Sequence, residues 1–297
     1  MKPLPAVRKT LAALALLAAL GAALPAAGAP AGGEDPLWMG RGAMEKEWGK
    51  VLRLSGEIGP AAYRYEEHFG ATSSRFESEG VSWTLLGELE LLPPLGVGAA
   101  LEVTRIGRDI ETWSNLPAGT VIGTQVDQTN DTQVDVGMLD IYASLAVVRA
   151  ASLELEFLAG WHFLRHRFER SNFAFQVSGF TIHSILGPVS EDVSADGPSL
   201  GARLTAKYNG FVLGGGLQWA YLPNLRAENS LLGNIESEGN SLRWRLGLGY
   251  RAREWLELGL SYRGTYIEVE EGRSVNAVLP NNRTYINSIF FQAEIRF

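Results

Sequence analysis

Between Tyr285 and Phe297 the chain alternates with a period of two. Tyr285, Ile289, Phe291, Ala293, Ile295 and Phe297 share one face, with Asn287 the single polar residue among them; Phe290, Gln292, Glu294 and Arg296 occupy the other. A two-residue period sustained this long specifies a strand with one apolar face. It recurs upstream: Leu242, Trp244, Leu246, Leu248 and Tyr250 oppose Arg243 and Arg245, and Leu256, Leu258, Leu260 and Tyr262 oppose Glu257, Ser261 and Arg263. A soluble sandwich would bury the apolar face, whereas a membrane barrel turns it to lipid and keeps the charges in its lumen. Connection lengths decide between the two. Ten strands are expected, at 51–68, 77–92, 95–113, 131–148, 153–175, 196–208, 211–221, 240–251, 255–270 and 284–297. Short links at Pro93-Pro94, 149–152, Asn209-Gly210 and 252–254 alternate with long polar ones at 69–76, 114–130, 176–195, 222–239 and 271–283. Segregated loop lengths and an even strand number predict an all-β, antiparallel up-and-down transmembrane barrel with both termini in the periplasm. Several strands exceed the ~9–11 residues that cross a bilayer, so a tall outer rim is expected.

The N-terminus fits export to that location. Lys2, Arg8 and Lys9 precede an apolar run from Leu11 to Leu24 and a tract of small residues to Ala31, the layout of a signal peptide over 1–31. Residues 32–50 then form a periplasmic segment ahead of the barrel, 51–297. Cleavage after Ala31 removes three bases and no acid, taking the net charge from −7 to −10. That balance argues against nucleic-acid binding. The absence of cysteine excludes a disulfide framework.

Two stretches carry a family resemblance. The hairpin Pro198 to Gly215, with Gly201, Tyr208, its Asn209-Gly210 turn, Phe211, Leu213 and the Gly214-Gly215 pair, is similar without a gap to the omptin hairpin. Leu155 to Phe168, with Ala159-Gly160-Trp161 followed by Arg165 and Phe168, resembles a second omptin strand. Omptins are outer-membrane endopeptidases, and the resemblance implies an acidic pair facing an Asp–His pair across a cleft. Carried over, the acidic pair falls at Ile110 and Thr112 and the Asp–His pair at Asn229 and Leu231. None of these is a base at neutral pH, so the family's catalytic pattern is not kept. Parity from Glu102 puts Ile110 and Thr112 on the lumen face and Asp109 and Glu111 on the lipid side, unless a β-bulge flips them inward. The resemblance also implies an outer-surface lipopolysaccharide site, of which Arg165 is the matching residue.

Three function classes stand on this reading: a non-proteolytic surface barrel with a binding, adhesion or structural role; an omptin-like aspartyl-type endopeptidase with a displaced site built from Asp109, Glu111, Glu228 and His183; and a narrow pore. His162 and His166 are four residues apart on one face, ~13 Å, too far to share a metal unaided; a hydrogen-bonding role in the lumen is expected. Lumen charges such as Glu88, Glu102, Asp140, Arg203, Arg243 and Arg263 are expected to neutralise one another. No cofactor or metal is expected. The expected partners are outer-membrane lipid, lipopolysaccharide and the barrel-assembly machinery, with the chain acting as a monomer. The aromatic Phe297 resembles the signal that this machinery reads. Replacing it with Asp should leave the protein in the periplasm; a normal yield of heat-modifiable barrel from that variant would sink the assignment.

Overall fold

In a computed structural model, the structure describes residues 52–297 except 93, 118–124, 151, 178–179, 186, 232 and 274–277. The expected signal peptide and periplasmic segment lie outside these residues. Ten long antiparallel strands close into a ring: β1 (Leu52–Phe69), β2 (Thr72–Leu92), β3 (Leu95–Pro117), β4 (Gln125–Arg149), β5 (Leu153–Val177), β7 (Val189–Tyr208), β8 (Phe211–Asn229), β9 (Gly233–Arg253), β10 (Leu256–Val269) and β13 (Asn281–Arg296). The β1–β13 ladder, from Arg53↔Arg296 to His68↔Asn281, and the β4–β5 ladder complete the circle. A short strand, β6 (Phe180–His183), adds to the tip of β5, and a small hairpin of β11 (Gly272–Arg273) and β12 (Val278–Leu279) lies in the β10–β13 connection. At one short link Asn209 and Gly210 both take positive φ (48° and 83°), the two-residue turn whose twist matches a hairpin.

The outer wall is inside-out relative to a soluble protein. On β5 the outward residues run Leu155, Phe157, Ala159, Trp161 and Phe163, then change to Arg165, Arg167 and Glu169. At ~3.3 Å per residue and a ~40° tilt the apolar part is about 20–25 Å tall, the height of a bilayer's hydrocarbon belt in such barrels. Trp161, near the upper end of the belt, donates its Nε1 to Asp196 Oδ2 at 2.9 Å, an apolar ring with a polar tip. The apolar band sits at the short-link end, so the strands project far beyond it at the other.

The interior is filled in layers. At belt level the expected charges do pair: Arg263 contacts Glu57 (2.6 Å) and Glu102 (2.5 Å), Arg243 contacts Glu102 (2.8 Å) and Asp140, and Arg203 contacts Glu88 (2.5 Å) and Glu156 (2.6 Å). His162 Nδ1 lies 2.8 Å from Asp140 Oδ1, and Tyr63 Oη lies 2.6 Å from His166 Nε2, the hydrogen-bonding roles expected of both histidines. Above this layer the lumen turns apolar. Tyr63, Phe76, Ile106, Met138, Leu164, Phe168, Leu222 and Ile267 belong to one buried cluster that fills it.

Strand ends differ from expectation at the long-loop side. Residues 72–76, 222–229 and 233–239, read as loop, continue β2, β8 and β9, and the β1–β2 connection is only Gly70-Ala71. Two causes hide these ends from a pattern search. The outward face is polar once it leaves lipid, and bulges reset the parity: in β8 the inward residues pass from Leu222 to Leu225 across Pro223-Asn224. Charge follows the same division. Above the belt (62–80, 105–136, 165–197, 223–240 and 265–285) ten arginines face nineteen acids, while the remainder of 52–297 holds ten cations and ten acids.

Leu248 is outward and 55% exposed in mid-belt. Leu248→Arg should lower folding stability in lipid vesicles by about 2–4 kcal/mol, read from urea titration. A variant as stable as the parent would invert the face assignment.

Candidate functional site

Above the apolar layer seven strands converge on one buried arginine. Arg170 on β5 points inward, stacks 4.7 Å over the Phe168 ring, and meets acids from both sides. Its Nε donates to Glu111 Oε2 at 2.7 Å, and its Nη1 donates to Glu191 Oε2 at 3.3 Å. Glu111, on β3, is fully buried. It also accepts from Asn130 Nδ2 (3.0 Å) and Thr132 Oγ1 (2.9 Å) of β4 and Ser74 Oγ (3.3 Å) of β2. Asn229 of β8 donates to Glu191 Oε2 at 2.9 Å. A third acid, Glu67 of β1, is buried beside them, accepting from Tyr65 Oη and, at 3.5 Å, from Ser74 Oγ.

Three carboxyls around one guanidinium cannot all be charged cheaply. Burial pushes Glu67 up to about 8, against the pull of Arg170 and with the push of Glu191 and Glu111. Burial also acts to raise Glu111, but the charge of Arg170 and the bonds from Arg170, Asn130 and Thr132 outweigh it and hold the group below its ordinary range. Burial opposes the charge of Arg170, and the surrounding acids more than restore it. The cluster is therefore a locked ion pair with a neutral acid beside it. Glu111 spends its lone pairs on donors that keep it a weak base. Among the described residues no three His, Asp or Glu side chains gather as metal ligands.

The structure separates the residues that sequence reasoning brought together, and corrects their faces. A bulge at residues 107–108 of β3, between Ile106↔Val134 and Asp109↔Thr132, reverses the parity. Glu111 thus enters the lumen, while Ile110 and Thr112 turn outward and are exposed. Asp109 is exposed and its Oδ1 accepts from the Ile110 N–H at 2.8 Å. Asn229 is half-buried on the lumen side, and Leu231 sits in the turn beyond it, 62% exposed. Glu228 is exposed on the outer wall, opposite Asp192. His183 is exposed on β6. Of the displaced set, only Glu111 reaches the interior cluster. Arg170, Glu191 and Glu67 were not singled out beforehand: Arg170 shares the inward parity of His162 and His166, which was the available signal. Arg165 faces outward as expected, but its Nε is 3.0 Å from Asp192 Oδ1 on the neighbouring strand.

A carboxyl that is neutral when folded but ionises at its ordinary 4.5 when unfolded binds more protons folded. Its stabilising contribution therefore falls as pH rises from there through about 8. Infrared spectra at pH 7 should show a protonated-carboxyl band that fades through that range and is missing in Glu67→Gln. The same band in the variant would assign the proton elsewhere. Arg170→Met, which leaves buried acids without a cation, should cost about 3–5 kcal/mol.

No protein-family model matches the chain, and no curated protein matches it in sequence. Among solved structures, the outer-membrane protease OmpT from Escherichia coli aligns over 83% of this chain and 97% of its own, with a TM-score of 0.65 and 13% identity. Neisserial surface protein A and the Ail protein of Yersinia pestis align over the same 83% of this chain and 97% and 99% of theirs, at 11% and 12% identity; their TM-scores are 0.33 and 0.29. The ring of ten strands, its apolar belt and the likeness to OmpT together give this chain the fold of an omptin-like outer-membrane β-barrel.

Proposed function

We propose that this protein is a sealed, non-proteolytic barrel of the bacterial outer membrane whose outer rim has a binding or structural role at the cell surface. The observation that carries the reading is the Arg170 cluster. Hydrolysis of a peptide needs a base free to take a proton from water. Here Glu111 is bonded by four side chains, Glu191 is held by Arg170 and Asn229 through Oε2 while its Oε1 is buried away from solvent and substrate, and Asn229 and Leu231 hold the aligned positions. Glu228 and His183 lie exposed, and among the described residues neither is bonded to Glu111. The apolar layer beneath weighs against the pore reading, since a dry packed lumen offers ions no hydrated path. The strongly acidic rim gives the outer surface a distinct electrostatic character suited to selective encounter. Lipopolysaccharide at Arg165 remains part of the proposal, but its phosphate would have to compete with Asp192.

The test is enzymatic. Refolded protein with added lipopolysaccharide should not cleave peptides bearing paired basic residues, the substrates that the omptin resemblance implies. Cleavage by the parent that disappears in Glu111→Gln or His183→Ala would establish a working site and overturn the proposal. Steady single-channel conductance in a planar bilayer would favour the pore instead.

A further inference from the structure

The belt-level lumen holds a second, unassigned feature near its short-link end. A cavity of about 110 Å³ lies between β1, β7, β8, β9 and β13. Gly214 and Gly216 of β8 and Gly247 and Gly249 of β9 all fall on inward positions of one wall; the β9 pair is covered by Ser261 and Glu257, while the β8 pair leaves bare backbone. Packing explains many of the other glycines: a Cβ on Gly160 would meet the Ile141 carbonyl oxygen at 2.1 Å, and one on Gly264 would meet the Trp244 ring at 2.0 Å. It does not explain Gly214, whose added Cβ would meet nothing within 4 Å, nor does it explain Gly216, where the nearest atom is the Ala202 carbonyl oxygen at 3.5 Å. A glycine that weakens a strand without relieving a clash marks a place where something else approaches the backbone.

The opposite walls supply the chemistry. Five cations, Arg53, Arg203, Lys207, Arg245 and Arg296, and four acids, Glu88, Glu154, Glu257 and Glu294, line the cavity. Arg203 and Arg245 are engaged by Glu88, Glu156 and Glu57. Arg53 makes no direct ion pair among the described residues, though its charge acts on nearby Glu154, which Arg149 and Lys207 engage. Arg251, two residues beyond Gly249 on β9 and outside the lining itself, stands directly opposite Glu257, whose Oε2 is engaged by Arg296 at 3.1 Å; Arg251 Nε and Nη2 are shielded from solvent with no acceptor. Ser55, buried and lining the same space, has an Oγ without a hydrogen-bond partner. Donors without acceptors around an open space require an acceptor, and arginine forks match planar or tetrahedral oxyanions best.

We infer that this cavity is a binding site for a small oxyanion, a phosphate or carboxylate group, entering from the periplasmic mouth. Arg53 and Arg251 provide the charge, Ser55 a hydroxyl donor, and the glycines the room. The site is separate from the Arg170 cluster, from which the apolar layer divides it.

The experiment titrates refolded protein calorimetrically with inorganic phosphate, with acetate, and with chloride at matched ionic strength. Saturable binding of phosphate or acetate, but not chloride, is expected, and the stronger of the two identifies the group. Arg53→Gln/Arg251→Gln should weaken it about tenfold or more, the loss expected on removing charged hydrogen bonds. Gly214→Leu, which fills open space, should abolish it. Each variant is first checked for the heat-modifiable folded form, and Arg75→Gln on the rim serves as a control that should bind like the parent. No saturable heat in the parent, equal binding of chloride, or unchanged affinity in folded Arg53→Gln/Arg251→Gln and folded Gly214→Leu would each overturn the inference.

Discussion

Closure of the sheet is the constraint from which the rest follows. In lipid every backbone N–H and C=O needs a partner within the protein, so no edge strand is allowed at belt level. The ladder between β1 and β13 removes the last edge, and both faces of the wall are then fixed at once. The outward face must be apolar over the belt, and the inward face must fill a narrow cylinder with side chains.

That cylinder is filled by two different chemistries. At belt level the charges are balanced in number and cross-linked from strand to strand, as in Arg263 bridging Glu57 and Glu102. Such pairs gain little over an apolar filling, but removing one partner is costly, so they tie distant strands to one register. Above the belt the lumen becomes apolar and is capped by Arg170 with its three acids. In this cap, burial and limited positive charge leave Glu67 neutral while Glu111 stays ionised. Arg170 and the acids around it thereby link seven strands above the apolar belt.

The lumen is also uneven along its base. Where β8 presents Gly214 and Gly216 inward, the filling thins, and unsatisfied donors remain nearby. Cross-linked packing and an open recess lined by charges of both signs thus coexist within one layer of the barrel.

The number of long strands, their order in the chain, the short-and-long rhythm of the connections, and the outward face of strands such as Leu242–Tyr250 and Tyr285–Phe297 are all legible in the order of residues alone. These follow from a period of two, which survives wherever lipid lies on one side and charge on the other. The sequence also placed the charged lumen residues that pair at belt level. What it left to the tertiary structure lies above the belt, where both faces mix polar and apolar residues and the period fades. There single-residue bulges decide everything: the one at 107–108 exchanged Ile110 and Thr112 for Glu111, and the one at Pro223-Asn224 continued β8 through what reads as loop. A bulge has no reliable signature in one strand, because it is fixed by the register of two neighbours. The meeting of Glu67, Glu111, Arg170 and Glu191 required the barrel to close before residues as far apart as 67 and 191 could share one buried charge.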